Sequence, residues 1–393
     1  MPKHSTTLLQ IFLIYLRLGC LSFGGPVAHL GYFKEAFVSR RKWLTEAHYA
    51  ELLGLCQFVP GPSSSQLGFA IGWNQRGLAG GCIAWLGFTL PSAVIMIGFA
   101  YGLVLIGESA APFIQGLLIA AVAIVAKAVI DLGRKLCADA PRILIAAVSA
   151  ALVHFLTNAY TPLAVIVLGG VAGILVFRKS ALNTAPALHD QPFLPSRLMA
   201  WSAIAGFSLL LVLALAVPAN SSAAIYAMHY RAGALVFGGG HVVLPLLYDG
   251  VVPNGLLTEA QFLAGYSGAQ ALPGPMFALS ANLGTAAQST SPAWLGGIGA
   301  LAAIFLPGIL LLIGLLPLWN RIRSKPVAQA GLYGANAAVV GLLAAALIDP
   351  VLPHGVQHWV DALIALIAYL ALTQFKVPAW LVVLSCGAIG FAL

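Results

Sequence analysis

The stretch Arg17-Leu18-Gly19-Cys20-Leu21-Ser22-Phe23-Gly24-Gly25 decides the fold, because much of it recurs as Arg231-Ala232-Gly233-Ala234-Leu235-Val236-Phe237-Gly238-Gly239. Further matches follow in the same order, shifted by 213 to 216 residues. Such ordered self-similarity indicates a tandem duplication, with copies at residues 1–178 and 219–393 and a linker with one inverting helix at 179–218. The further matches are Leu44-Thr45-Glu46-Ala47 with Leu257-Thr258-Glu259-Ala260, Gln57-x-x-Pro60-Gly61-Pro62 with Gln270-x-x-Pro273-Gly274-Pro275, and Gly80-Gly81 and Pro91 with Gly296-Gly297 and Pro307.

Composition excludes a soluble protein. Of the 393 residues, 60% are hydrophobic and only 8% are charged, against about 25% charged in a soluble domain. The solvent for most of the chain is therefore lipid. The basic residues lie mostly in short gaps between apolar runs, which indicates membrane topology rather than a nucleic-acid surface. The net charge of +8 also favours an anionic cargo.

Nine apolar runs are long enough to cross a bilayer, which predicts an all-α polytopic membrane protein. We expect the first of them to be kinked or broken near Pro91. An earlier apolar run, 7–23, contains Arg17 and lacks a signal-peptide cleavage site, so we assign it to the mature protein. The nine runs are 78–106, 110–131, 141–158, 160–177, 198–217, 292–318, 327–348, 357–375 and 377–393.

Lysine and arginine positions predict that the two copies face opposite sides of the membrane. The gaps that are basic in copy one correspond to gaps without Lys or Arg in copy two, and the reverse also holds. Under the positive-inside rule this is an inverted repeat, an arrangement typical of secondary transporters. The basic gap residues are Arg76, Arg134, Lys135, Arg142, Arg178 and Lys179 in copy one, and Arg321, Arg323, Lys325 and Lys376 in copy two.

The first third of each copy allows two topologies. Segments 7–38 and 45–75 each enter, break and return to the same side if Arg40-Arg41-Lys42 lies inside. This gives nine full spans plus two re-entrant hairpins per copy. The alternative lets each segment cross fully, giving 13 spans, and would place Ser39 outside and Asn254 inside.

The predicted breaks carry the chemistry of the site. Interrupted helices are tolerated in a membrane only inside protein or along a water-filled cavity. Glycine permits the required dihedral angles, and proline ends the preceding helix. The next helix then presents free N–H groups and partial positive charge, with Ser63 at or near its cap, and this suits an anion. We expect four such ends, two from each copy, to meet near the bilayer midplane.

Several polar side chains near the breaks are candidates for binding or coupling. Arg17 and Arg231 suit a tetrahedral oxyanion, although either arginine also fits a snorkelling or paired side chain. Glu51 is either a proton carrier or the partner of an arginine. His29 and His241 are candidates for proton coupling, against a structural role. The proposed substrate-binding set is Arg17, Gly24, Gly25, Pro26, His29, Gln57, Pro60, Gly61, Pro62, Ser63, Ser64, Arg231, Gly238, Gly239, Gly240, His241, Gln270, Pro273, Gly274, Pro275 and Asn282.

The break motifs resemble those of the chromate ion transporter family, in its long, duplicated form. The resemblance covers nearly the whole chain. It implies export of chromate from the bacterial cytoplasm through the inner membrane, coupled to the membrane potential or the proton gradient. Sulfate, a dianion of the same shape, is the obvious competitor. The motifs are Phe23-Gly24-Gly25-Pro26-x-Ala28-His29, Gln57-x-x-Pro60-Gly61-Pro62, Phe237-Gly238-Gly239-Gly240-His241-Val242-Val243-x-Pro245-Leu246 and Gln270-Ala271-Leu272-Pro273-Gly274-Pro275.

Two other function classes stay open at this stage. An uncoupled anion channel would use the same cavity, and a membrane-embedded hydrolase would use Ser63–Ser65 with His29. No nucleotide-binding or zinc motif is present, and the five scattered cysteines have no metal spacing, so we expect no cofactor and no enzyme activity. The expected partners are the anion and membrane lipid, with no nucleic acid, and a homodimer is left open.

Overall fold

The computed structural model describes residues 6–156, 160–178, 194–237, 239–287, 292–322 and 325–391. Helices account for the regular structure in these residues. The first copy contains α1 Leu8–Leu21, α2 Gly25–Lys34 with a π-helical turn Glu35–Arg40, α3 Glu46–Phe58, α4 Ser63–Ile106, α5 Ala111–Leu136, α6 Ala140–Phe155 and α7 Thr161–Phe177.

A single helix, α8 Arg197–Ala216, connects the copies. The second copy repeats the pattern of the first, with short helices before long ones. It contains α9 Ala224–Leu235, α10 Val243–Val251, α11 Glu259–Ala271, α12 Leu279–Ala286, α13 Trp294–Leu315, α14 Trp319–Ile322, α15 Pro326–Ala346, a π-helical turn Leu347–Val351, α16 Leu352–Gly355, α17 Trp359–Thr373 and α18 Ala379–Gly390.

The helices match the predicted spans closely. Each of the nine predicted runs contains one apolar helix, and five helical segments are long and apolar enough to cross a membrane by themselves. Large side chains such as Leu105, Leu175 and Leu198 are exposed on these helices, as expected for surfaces that face lipid. The chain is an integral membrane protein.

Of the two alternatives predicted at Pro91, a break is excluded and a kink remains. Pro91 lies inside α4 without interrupting it, and the non-helical residues are Arg76 and Gly77. A proline in a helix interior removes one hydrogen bond, which bends a helix without ending it when neighbouring helices support it. Gly77 has a φ of 58°, a conformation that ends a helix at little cost for glycine. Helix α4 is therefore a short first part, 63–75, followed by a long span.

The repeated Leu-Thr-Glu-Ala motif begins the third helix of each copy. Thr45 Oγ1 accepts a hydrogen bond from the His48 amide, and Thr258 Oγ1 accepts one from the Gln261 amide, both at 3.2 Å. Such a cap stabilises a helix by about 1 kcal/mol. The motif thus recurs because both copies need the same helix start.

Glycines bring the helices of each copy into close contact at matching places. Gly19 on α1 lies against the backbone of Phe88 on α4, and Gly233 on α9 lies against the backbone of Ile304 on α13. The copies also pack across each other in a reciprocal way, since α7 lies along α15 and α18 lies along α5. Reciprocal contacts of this kind indicate an approximate two-fold relation between the copies. The opposite orientation of the copies in the membrane stays a prediction from the charge pattern.

The first third of each copy consists of short helices that meet at breaks. Helix α1 has 14 residues and α3 has 13, so each rises about 20 Å, less than the hydrocarbon core of about 30 Å. In the second copy, α9 has 12 residues and α11 has 13. These lengths fit arms that enter the membrane without crossing it, and the choice between the two topologies stays a prediction from the charge pattern.

Candidate substrate site at the helix breaks

Two hydrogen bonds join the breaks of one copy to those of the other. The Gly61 amide donates to the Val236 carbonyl oxygen at 2.7 Å, and the Gly274 amide donates to the Ser22 carbonyl oxygen at 3.0 Å. Gly61 and Gly274 are the central residues of the two Pro-Gly-Pro motifs, while Ser22 and Val236 directly follow α1 and α9. Each Pro-Gly-Pro break is therefore bonded to the Phe-Gly-Gly break of the opposite copy.

Both central glycines occupy positions that other residues cannot fill. Gly61 has a φ of +130° and Gly274 has a φ of +93°, a region that favours glycine. A Cβ atom on Gly61 would lie 2.9 Å from Gly308 Cα, and one on Gly274 would lie 3.0 Å from Ser92 Oγ. Gly308 and Ser92 directly follow the matched prolines inside α13 and α4. Matching residues of the two sequence repeats therefore make matching contacts with the opposite copy.

The two Phe-Gly-Gly breaks also approach each other. A Cβ atom on Gly240 would lie 3.1 Å from Pro26 Cγ. Helix α2 begins at Gly25, with Pro26 in its first turn as predicted. Gly238 lies outside the described residues. All four breaks therefore converge on one region, as the sequence predicted.

The start of α4 provides unpaired donors at this region. The helix begins at Ser63, directly after the cap position, which Pro62 occupies without a side-chain cap hydrogen bond, so Ser63 lies near the cap as expected. Proline has no side-chain acceptor, which leaves the amides of the first turn without an intrahelical partner. The hydroxyl of Ser65 is buried and has no hydrogen-bond partner. A helix start of this kind can bind an anion.

Two further buried serine hydroxyls without a partner flank the breaks. They belong to Ser22, which follows α1, and Ser280, in the first turn of α12. Both residues are fully buried. A buried hydroxyl normally has a partner, so these groups are suited to a polar ligand. The sequence analysis missed both serines, although Ser22 stands directly before Phe23-Gly24-Gly25.

Gln66 is a third residue that the sequence did not indicate. Its Nε2 donates to the Pro60 carbonyl oxygen and to the Gly308 carbonyl oxygen, each at 3.0 Å. The side chain is buried and connects the Pro-Gly-Pro break to α13 of the other copy. Broken helices leave carbonyl groups unpaired in lipid, and Gln66 satisfies the one of Pro60 at this break.

The contacts of His29 indicate a structural role. Its Nε2 lies 3.1 Å from the Ser22 carbonyl oxygen, and its Nδ1 lies 3.4 Å from Ser64 Oγ. Because a carbonyl oxygen only accepts, Nε2 carries the proton and Nδ1 accepts from the serine hydroxyl. The ring is fully buried and both of its nitrogens have partners. Among the described residues, the partners of the two ring nitrogens are a serine hydroxyl and a carbonyl oxygen rather than a carboxylate, so the arrangement does not match a hydrolytic triad.

The polar candidates of the second copy lie around the same region. His241 Nδ1 lies 2.9 Å from the Tyr266 hydroxyl, Gln270 Nε2 lies 2.6 Å from Met276 Sδ, and Asn282 Nδ2 donates to the Met96 carbonyl oxygen at 3.2 Å. Lys127 and Asp131 form an ion pair on α5.

The structure does not bring the two arginines together at the breaks. The Arg17 side chain is exposed on α1. Arg231 is half-buried, and its guanidinium carbon lies 5.7 Å from the centre of the Tyr160 ring. Gln57 is exposed at the end of α3, whereas Glu51 is buried within α3 and has an interaction partner.

These features define a polytopic helical membrane protein in which interrupted helices from two repeats meet, an arrangement known from membrane transporters. The chain belongs to the chromate transporter family, since the family model matches residues 9–174 and 223–391. The two matched regions correspond to the two copies. Characterised members of this class are transporters and not enzymes, so the hydrolase alternative is set aside.

Full-length relatives support this assignment. The chain is 30% identical over 410 residues to a probable chromate transport protein of Synechococcus elongatus, covering 99% of this chain and 96% of the relative. It is 26% identical over 400 residues to a chromate transport protein of Pseudomonas aeruginosa, covering 97% and 91%. It is 28% identical over 374 residues to a chromate transport protein of Cupriavidus metallidurans, covering 94% and 89%. No solved structure matches the chain.

Proposed function

We propose that the protein is a secondary transporter that exports chromate across the bacterial inner membrane and confers chromate resistance. Export is driven by the membrane potential or by the proton gradient. The proposal is supported by membership of the chromate transporter family and by relatives that are named chromate transport proteins over nearly their full length. Chromate is a tetrahedral dianion, which agrees with a site built from donors and without an acidic lining.

The binding site in this proposal is the region where the four breaks converge. The observation that carries it is the reciprocal bonding of Gly61 to Val236 and of Gly274 to Ser22, because it holds helix starts from both copies around one point. The starts of α2 and α4 in one copy, and of α10 and α12 in the other, direct N–H groups towards the anion. The unpaired hydroxyls of Ser22, Ser65 and Ser280 supply further donors.

Access to this site alternates between the two sides of the membrane. Helix α2, with its π-helical turn, and α3 are joined by residues 41–45, and α10 and α11 by residues 252–258; we call these two helix pairs the α2–α3 hairpin and the α10–α11 hairpin. With the copies in opposite orientation, the α2–α3 hairpin opens to the cytoplasm and the α10–α11 hairpin opens to the outside. Arg17, exposed on α1, attracts the dianion on the cytoplasmic side. Glu51 and His29 remain the sequence-based candidates for proton coupling within the first copy.

Flux measurements in proteoliposomes test the proposal. We expect labelled chromate to accumulate against its gradient when a pH gradient or a membrane potential is imposed, and an uncoupler to abolish the accumulation. Labelled sulfate measured in parallel shows whether the site separates the two dianions. Downhill flux that does not depend on either driving force would instead identify an anion channel. Transport of sulfate alone would show that sulfate, and not chromate, is the substrate.

A further inference from the structure

A cavity of about 610 Å³ lies at the α10–α11 hairpin, away from the helix breaks. It is lined by the end of α6, the end of α15 and the loop between α10 and α11. The charge pattern places each of these ends on the non-cytoplasmic side. The titratable groups that line it are His154, Tyr248, Asp249, Glu259 and Asp349.

A chain of hydrogen bonds crosses the wall of this cavity. The Tyr248 hydroxyl donates to Glu259, and the other carboxylate oxygen of Glu259 pairs with His354 Nε2. His354 is held from its other side, since its Nδ1 lies 2.9 Å from the Pro350 carbonyl oxygen. His354 belongs to α16, so the chain ties the α10–α11 hairpin to the segment that follows α15.

The first copy holds its hairpin by a different pair. Glu46 corresponds to Glu259 in the repeated Leu-Thr-Glu-Ala motif, and Lys34 occupies the position that corresponds to Tyr248. Lys34 Nζ lies 2.9 Å from Glu46 Oε1. Lysine keeps its charge throughout the physiological range, whereas histidine changes its charge within that range. The two hairpins are therefore held by side-chain pairs of different chemistry at matched positions.

We propose that Glu259 and His354 form a pH-responsive latch that closes the α10–α11 hairpin when protons are abundant on the non-cytoplasmic side. The cytoplasmic hairpin has the proton-insensitive latch of Lys34 and Glu46. This inference rests on the opposite orientation of the copies in the proposed function. Protonated His354 carries an N–H on both ring nitrogens, so it can donate to the Pro350 carbonyl oxygen and form an ion pair with Glu259 at the same time. Neutral His354 carries only one N–H, so it can donate to only one of these two acceptors.

Asp249 and His154 also line the cavity and are titratable, and Asp249 has a shifted pKa. It lies at the loop end of α10, and burial raises its pKa to about 6. Its protonation as the pH falls would remove a negative charge facing the latch, which opposes the effect of His354. The two contributions have opposite sign and are separable by substitution.

Hydrogen–deuterium exchange of the protein in nanodiscs tests the latch without any anion, so its outcome is independent of the transported substrate. After correction for the intrinsic rate, we expect residues 252–258 to exchange about two- to five-fold more slowly at about pH 6 than at about pH 8, the effect of a half-exposed ion pair. Residues 41–45, beside the Lys34–Glu46 pair, should show no such change.

Substitutions identify the group that responds. His354→Lys should protect residues 252–258 at both pH values, while His354→Gln and Glu259→Gln should leave them weakly protected at both. Asp249→Asn should keep the response, and Lys34→His should give residues 41–45 a response that they lack. A pH response that persists in His354→Lys, that disappears in Asp249→Asn, or that is absent from the unmodified protein would overturn the proposal.

Discussion

The Gly61 amide and the Val236 carbonyl oxygen lie 2.7 Å apart, although the two residues belong to different copies of the repeat. The matching bond joins Gly274 to Ser22 at 3.0 Å. Each bond satisfies a backbone donor and a backbone acceptor that a broken helix would otherwise expose to lipid, at a cost of several kcal/mol for each group. The interruptions are thus stable only as a set, and the set surrounds the proposed anion site.

Gly61→Ala and Gly274→Ala should each reduce chromate flux by about ten-fold or more. A side chain at these positive φ values costs about 1–3 kcal/mol, and the added Cβ atom would also displace Gly308 or Ser92. Flux in proteoliposomes at matched protein amounts measures the effect. Gly98→Ala is the matched control, because a Cβ atom on Gly98 in α4 meets no atom within 4 Å. Normal flux in either Pro-Gly-Pro variant would contradict the assignment of the site.

Gln66→Glu should lower the thermal stability of the purified protein. The carboxylate cannot donate to the Pro60 and Gly308 carbonyl oxygens that Gln66 Nε2 now binds, and each buried acceptor left unpaired costs about 1–3 kcal/mol. The midpoint of thermal unfolding in detergent measures the loss. Gln374→Glu, at an exposed position after α17, provides the control. Equal midpoints for the two variants would show that the bridge contributes nothing.

Arg17→Ala should abolish chromate resistance while the protein remains in the membrane. Because the guanidinium is exposed on α1, its removal should weaken attraction of the dianion without unfolding the chain, and Arg17→Lys should retain part of the resistance. Growth in chromate, with the membrane content of the protein measured by immunoblot, tests both variants. Arg231→Ala should lower the protein content instead, since Arg231 stacks on Tyr160. Full resistance in Arg17→Ala would make that arginine structural.

Cysteine labelling tests the orientation of the hairpins. With nine full spans, a membrane-impermeant maleimide should label Asn254→Cys in intact cells, and it should label Ser39→Cys only after permeabilisation. The exposed native Cys20 and Cys82 must first be replaced. Ser196→Cys, before α8, lies inside in both topologies and serves as the control. The reverse labelling of Ser39 and Asn254 would support 13 spans.

The positions of the breaks could be predicted because they depend on local chemistry. Glycine and proline combined, as in Gly24-Gly25-Pro26 and Pro60-Gly61-Pro62, favour a helix interruption through their local backbone preferences, and the apolar runs between breaks have lengths that a bilayer dictates. Pro91 shows the limit of that reasoning, because α4 continues through it. Support from neighbouring helices, which depends on tertiary packing, decides whether a proline ends a helix or only bends it.

Contacts between the copies could not be predicted from the residues alone. Nothing near Gln66 in the sequence indicates that its side chain reaches Gly308 in the other copy, and Ser280 becomes a candidate only because its burial leaves the hydroxyl unpaired. The predicted roles of Arg17 and Arg231 treated the two arginines as equivalent, whereas one is exposed and the other stacks on Tyr160. Residues at equivalent positions of the two copies differ in exposure and contacts where their neighbours come from different parts of the chain.

The crossed amide bonds also bear on how such a chain arose. A polypeptide of half this length would leave the Gly61 donor and the Ser22 acceptor without the groups that satisfy them here. Under the proposed orientation, the missing groups would have to come from a second molecule of the same polypeptide, inserted in the same bilayer in the opposite orientation. An ancestral single unit would therefore have needed to insert both ways up in comparable numbers, and fusion through α8 would have removed that requirement by fixing one molecule of each orientation in every chain.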